Sequence, residues 1–250
     1  MTRRYLSTSE IGKAVGVHPN TVRLYEQWGF LPPVSRSPGG YRQFTEQHLD
    51  QMRLARLALH GGWPGRNIRQ SALALVRQSA SGDLGGALEQ AYRHLALVQA
   101  ERAQAEVAAK LVEWWARGAA TDVTDEPLYI NQAARLLGVT TDRLRNWERN
   151  GLIKTPRAGN GYRLYGAAEI SRLRVIRTLL RAGYRTMAIL RMLRRFDRGQ
   201  RTELRQVLDA PTPADILYAT DRWLSTLAEQ EQRAASMIAQ LEKMIRKRRQ

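Results

Sequence analysis

Apolar residues recur at three- and four-residue steps through two long stretches of the chain. In the first half they are Leu88, Ala91, Leu95, Val98, Ala105 and Val112; toward the C-terminus they are Leu217, Leu224, Leu227, Ala234, Ile238, Leu241 and Ile245. This spacing predicts long helices near Leu84–Arg117 and Ala214–Lys247, each with one apolar seam of the coiled-coil kind. Ahead of each seam the pattern is shorter and broken by glycine. Ser9 and Asn131 are expected to cap helices over Glu10–Val15 and Gln132–Leu137, whose apolar positions share a face. Gly16 and Gly138 then supply a tight turn, where left-handed backbone is cheap only for glycine. A second short helix is expected from about His18 and about Thr140, with Pro19 suited to a first turn and Gly29 and Gly151 closing each helix. Two short helices about a glycine turn, the second studded with polar side chains, predict a helix-turn-helix. Gly159-Asn160-Gly161 lies between short strand-like runs and predicts a hairpin with a basic, aromatic tip. A longer amphipathic helix follows in each half, about Glu46–His60 and Ala167–Ala182.

The two halves are copies of one another. Gly16-Val-His-Pro-Asn-Thr-Val-Arg-Leu-Tyr-Glu-Gln-Trp-Gly-Phe-Leu31 recurs as Gly138-Val-Thr-Thr-Asp-Arg-Leu-Arg-Asn-Trp-Glu-Arg-Asn-Gly-Leu-Ile153. Further on, Gly40-Tyr41-Arg42 recurs as Gly161-Tyr162-Arg163, and Leu59-His-Gly-Gly-Trp63 as Leu180-Arg-Ala-Gly-Tyr184, with the second copy one residue shorter before these blocks. Register held over so long a stretch marks a repeated domain. The expected fold is mainly α. It has two winged helix-turn-helix domains, at 1–82 and 128–211, each followed by a long helix, at 83–118 and 212–250, with a linker at 119–127. The two long helices are expected to pair as an antiparallel coiled coil.

Charge and composition narrow the function. Forty Lys+Arg against 23 Asp+Glu leave a net charge of +17. A surplus of this size implies a polyanionic partner, nucleic acid first and an anionic membrane surface second. The run Lys243–Arg249 could touch either, or form a solvated helix end that favours cations. There is no cysteine, which excludes disulfides, iron–sulfur clusters, thiolate zinc and thiolate-based sensing. No metal and no cofactor is expected. The four histidines, His18, His48, His60 and His94, are scattered, and no Gly-rich phosphate loop or nucleophile motif is present, so the chain does not read as an enzyme. The N-terminus lacks the apolar core of a signal peptide and no stretch approaches 18 apolar residues, which predicts a cytoplasmic protein with no membrane partner.

Arg23-Leu-Tyr-Glu26 and Arg145-Asn-Trp-Glu148, each after Gly-Val and each followed by a Gly-Tyr-Arg triplet, resemble the MerR family of bacterial transcription regulators. The resemblance covers nearly the whole chain. Family members are usually homodimers of one such module joined by long antiparallel helices, so this chain resembles such a dimer fused into one polypeptide, a pseudo-dimer. A helix of about 30 residues spans roughly 45 Å, so in an antiparallel pair the short linker could suffice. The resemblance implies a transcription regulator that binds double-stranded promoter DNA and bends and untwists the spacer between promoter elements for RNA polymerase holoenzyme. Such deformation costs on the order of 1–6 kcal/mol. The winged modules also resemble those of excisionases, which gives an architectural DNA-bending protein as the alternative; the long helices favour the regulator.

The resemblance places Arg23 and Arg145 on the recognition helices against the DNA backbone, with Tyr25 in the same motif. It places Tyr41, Arg42, Tyr162 and Arg163 on wings that grip phosphates, a task that suits a guanidinium fork and a rigid hydroxyl; the tyrosines could instead pack the wing on its domain. Base reading falls to the first turns, which offer His18, Asn20 and Thr21 in one copy and Thr140, Thr141, Asp142 and Arg143 in the other. Asp142 could equally cap its helix. Because these sets differ, unequal half-sites are expected. Arg36, Arg66, Lys154 and Arg157 are candidate backbone contacts. Glu26 and Glu148 hold positions that the family uses structurally. Trp63, Trp114, Trp115 and Trp223 could line a small-molecule pocket or simply pack an interface.

Overall fold

The computed structural model describes residues 5–61, 65–118, 126–210 and 222–249. They form two compact units, one of residues 1–100 with 227–250 and the other of residues 101–226. The first is therefore discontinuous in sequence.

In the first unit, α1 (Thr8–Val15) and α2 (Pro19–Gln27) make the helix-turn-helix, and Gly16 between them takes φ 67°. Ser7, not Ser9, caps α1. Its Oγ accepts from Glu10 N–H at 3.2 Å, and Glu10 Oε2 accepts from Ser7 N–H at 2.7 Å. This reciprocal pair satisfies two helix-end donors, which a cap at Ser9 would leave open. The wing strands β1 (Ser35–Arg36) and β2 (Arg42–Gln43) pair antiparallel, and Phe44 bridges back to Leu6. The helices α3 (Glu46–Leu59), α4 (Arg66–Ala80) and the beginning of α5 (Leu84–Ala116) follow. Helix α4 goes beyond the expected elements; Ile68, Ala72, Leu75 and Val76 form its buried stripe.

The core of this unit is closed from the far end of the sequence. Ala234, Met237, Ile238, Leu241 and Met244 of the terminal helix (Trp223–Arg249, labelled α11 below) join the cluster of Ile11, Val22, Phe30, Phe44, Met52 and Leu75. Burying each large side chain is worth about 1.5–3 kcal/mol, so these contacts outweigh any ion pair along the same helix. Polar ties add register: Gln240 Nε2 donates to Asp50 O at 3.0 Å, Arg248 Nη1 to Gly82 O at 2.7 Å, and Arg233 Nη1 to His60 O. Gln99 donates to Glu231 at 2.9 Å and Tyr92 to Glu242 at 3.5 Å, so over these residues α5 and α11 run in opposite directions. The seam residues Ala91, Val98, Leu227, Ala234, Ile238 and Leu241 are buried. The expected start at Ala214, and Leu217 with it, lies outside the described residues.

The second unit repeats the first module. Here β3 (Leu128–Tyr129) pairs with β4 (Leu164–Tyr165), where the first copy has its Leu6–Phe44 bridge. Helix α6 (Ile130–Leu137) begins before Asn131, so that residue is not its cap; Gln132 Oε1 instead accepts from Tyr129 N–H at 2.8 Å. The helices α7 (Thr141–Arg149), α8 (Ala167–Arg181), α9 (Thr186–Asp197) and the short α10 (Leu204–Asp209) complete the order, with α11 last. Helices α9 and α10 also go beyond the expected elements. The C-terminal part of α5 packs here: Tyr184 Oη donates to Ala105 O at 3.1 Å, and Trp115 stacks on Phe196 with centroids 4.1 Å apart. No helix of the described residues is long and apolar enough to cross a membrane.

Candidate nucleic-acid interface

The recognition helices begin at capping side chains. His18 Nδ1 accepts from Asn20 N–H at 3.2 Å, and Thr140 Oγ1 accepts from Arg143 N–H at 3.2 Å. Both side chains thus help to start a helix, His18 through Nδ1 and Thr140 through Oγ1. Asp142 is not the cap of α7. Its Oδ1 takes Arg145 Nη1 at 2.8 Å, and the equivalent pair in the first copy, Arg23 Nη1 to Asn20 Oδ1, is 3.4 Å. The first-turn residues Asn20 and Asp142 thus hold Arg23 and Arg145 one turn on. Thr21 and Thr141 are half-buried, and Arg143 is exposed.

Tyr25 departs from its expected place. It is only 6% exposed and packs edge-on against Phe30, with centroids 5.7 Å apart, so its ring belongs to the core. Trp147 fills the same position in the second copy and is also buried. The motif's aromatic supports the recognition helix from behind.

The wings are built alike in both copies. Ser37 N–H donates to Tyr41 O at 2.8 Å and Gly40 N–H to Ser37 O at 2.9 Å; Ala158, Tyr162 and Gly161 repeat this at 2.8 Å each. Gly40 and Gly161 take φ 80° and 81°, so the turn requires glycine. Arg36 Nη1 donates to Gly40 O at 3.2 Å and Arg157 Nη1 to Gly161 O at 3.1 Å, closing each tip. Tyr41 and Tyr162 stand 79% and 63% exposed. Neither is packed away, although Tyr162 meets Tyr129 at right angles, with centroids 6.3 Å apart.

The triplet arginines are tied inward. Arg42 Nε lies 2.5 Å from Glu26 Oε2, and Arg163 Nε lies 2.5 Å from Glu148 Oε2. Each glutamate sits near the end of a recognition helix, so the ion pair fixes the wing's angle to that helix. Thr155 Oγ1 also donates to Glu148 Oε1 at 2.5 Å. Burial pushes the Glu148 carboxyl up, but the Thr155 hydroxyl and the Arg163 guanidinium outweigh it and hold the group below the usual carboxylate range.

Cationic residues outside the expected set stand beside α7. An open cleft of about 1020 Å³ is lined by Arg135, Arg143 and Arg149, with Asp142, Asn146 and Thr186. Arg135 and Arg149 lie in the last turns of α6 and α7; their signal in the sequence was basic character on a polar helix face. Lys154 and Arg66 are exposed. Of the tryptophans, Trp63 lies outside the described residues, Trp114 is exposed, Trp115 is buried against Phe196, and Trp223 Nε1 donates to Ala182 O at 2.7 Å. None of the described three lines the cleft beside α7. Among the described residues no three His, Asp or Glu side chains are grouped to hold a metal ion.

The comparisons agree with this geometry. The model of the MerR HTH family regulatory protein matches residues 6–74 and again 128–195. The HTH-type transcriptional regulator CueR of Escherichia coli O6:H1 is 35% identical over 66 residues, 26% of this chain and 47% of that protein. A probable heavy metal-dependent transcriptional regulator of Haemophilus influenzae is 31% identical over 119 residues, 47% of this chain and 80% of that protein. A ZntR homolog from the same organism is 43% identical over 42 residues, 17% of this chain and 31% of that protein. The chain thus spans about half the length of the CueR protein it matches. These relatives are transcriptional regulators, not enzymes. No solved structure matches. With the family's domain matched twice over more than half its length, the chain belongs to the MerR family of helix-turn-helix regulatory proteins.

Proposed function

We propose that the chain is a DNA-binding transcription regulator that grips promoter DNA as one pseudo-symmetric molecule. Each module would lay its recognition helix in a major groove and its wing tip on the flanking backbone. The observation that carries this reading is the duplicated lock between wing and recognition helix, Glu26–Arg42 and Glu148–Arg163 at the same 2.5 Å. A second copy of a surface feature kept in register is what a two-site grip needs. The antiparallel run of α5 and α11 past Gln99–Glu231 and Tyr92–Glu242 supports pairing of the long helices within one chain.

The contact set proposed is Asn20, Thr21 and Arg23 with Arg36 and Tyr41 in the first module. In the second it is Thr141, Arg143, Arg145, Lys154, Arg157 and Tyr162. Arg42 and Arg163 act through the wing they brace. As in the family, the chain would bend and untwist the spacer of its promoter for RNA polymerase holoenzyme. The heavy-metal dependence of the Haemophilus influenzae relative is not carried over, because this chain has no cysteine to supply thiolate ligands.

Selection of duplexes from a random pool, followed by footprinting and light scattering, tests the reading. One chain per site is expected, over two protected segments on one face of the duplex. Two chains per site would overturn the pseudo-dimer. Transcription from the selected site, with and without the protein, separates regulation from purely architectural bending.

A further inference from the structure

The two recognition helices occupy equivalent places but present different chemistry. Arg135, Arg143 and Arg149 beside α7 are all exposed, and none takes part in an ion pair among the described residues. Their equivalents in the first copy are Lys13, Thr21 and Gln27, so three cations face one. The next row reverses the contrast. Residues one turn apart on α2 and its C-cap are Asn20, Leu24 and Trp28, with Leu24 41% and Trp28 52% exposed. The same row on α7 is Asp142, Asn146 and Asn150, and the last two side chains hydrogen-bond each other at 2.9 Å.

We propose that the modules divide the work on duplex DNA: the second is the electrostatic anchor, and the first reads one half-site through apolar contact with thymine. The proposal rests on the DNA-binding reading above. Exposed arginines displace condensed counterions from phosphates, a contribution that depends on salt and ignores sequence. An exposed leucine beside an asparagine contributes little of that kind. It can meet the 5-methyl group of thymine, the one apolar feature of the major-groove edge. Leu24 lies one turn on from Asn20, which takes Arg23 Nη1 at 3.4 Å, so a groove that takes those polar groups would also cover Leu24. Trp28, a further turn on, packs against Tyr25 and Phe30 with centroids 6.2 and 5.8 Å apart. Binding is then directional, with the salt-sensitive half and the methyl-sensitive half fixed by which module covers them.

Uracil substitution in each half-site and three variants of the chain test this. The log–log salt slope of binding should fall by about two to three in Arg135→Gln/Arg143→Gln/Arg149→Gln, at about 0.9 for each phosphate left without its arginine. It should fall by one or less in Lys13→Gln. Replacing thymine by uracil removes only the methyl group. Under the first module it should weaken binding several-fold, with no further loss in Leu24→Asn, and under the second module it should have no effect. Circular dichroism confirms that each variant is folded. Equal salt slopes for the triple variant and the parent, or equal uracil effects in both half-sites, would overturn the division of labour. Failure of the parent chain to select any duplex would instead remove the DNA-binding reading itself.

Discussion

Lys247 Nζ lies 2.6 Å from Asp50 Oδ2, an ion pair that joins the last turns of α11 to α3. Asp50 is only 3% exposed and also takes Arg53 Nη1 at 2.9 Å, so its carboxylate depends on two cations that are themselves partly in solvent. Asp50→Ala removes the focus of both and should lower the unfolding free energy by about 1–3 kcal/mol. Lys247→Met leaves Arg53 in place and, because Lys247 is 44% exposed, should cost less than about 1 kcal/mol. Urea denaturation of the two variants measures the difference. Equal, negligible effects would show that the pair does not hold the helix.

His94 on α5 is fully buried, and neither ring nitrogen has a hydrogen-bond partner among the described residues. Burial lowers its pKa from 6.5 to about 4. Between these values the unfolded chain binds a proton that the folded chain excludes, so stability is full above about pH 6.5 and declines as pH falls toward 4. The loss reaches on the order of 3 kcal/mol. Denaturation midpoints at pH 7 and pH 5 should differ more for the parent than for His94→Leu. Parallel pH dependence in the two would contradict the assignment.

Gly183 adopts φ 91° under the indole of Trp223, and a methyl group there would lie 2.6 Å from Cζ2. Gly183→Ala therefore meets both backbone strain and a clash, and should destabilise the second unit by about 1–3 kcal/mol. Tryptophan fluorescence should redden as the ring is displaced. An unchanged spectrum and melting temperature would refute the contact.

Glu148→Gln weakens the brace on Arg163 without touching the groove-facing row. Affinity for a selected duplex should drop by about tenfold, equivalent to about 1.4 kcal/mol. Binding at the parental level would mean that the wing holds its angle without the ion pair.

Much of this was legible from periodicity and repetition. The glycine turns, the wings and the long seams follow from residue spacing alone, because Gly16, Gly138, Gly40 and Gly161 sit where backbone with positive φ is needed. Helix α9 was legible by the same rule, since Ala188, Ile189, Met192 and Leu193 repeat at helical steps. Helix α10 was not, being six residues long after a left-handed Glu203. The inward turn of Tyr25 was hidden because an aromatic on a polar helix suits core and groove alike. The locks onto Glu26 and Glu148 depend on contacts 15 and 16 residues apart that no local pattern encodes.

The discontinuous first unit has a consequence for synthesis. Its hydrophobic cluster stays open until residues after Leu227 have been made, whereas residues 101–226 form a unit that can fold before then. At about 5–20 residues per second, the N-terminal module waits for several seconds or more with its apolar face uncovered. The core whose translation begins first is thus the last for which all residues become available.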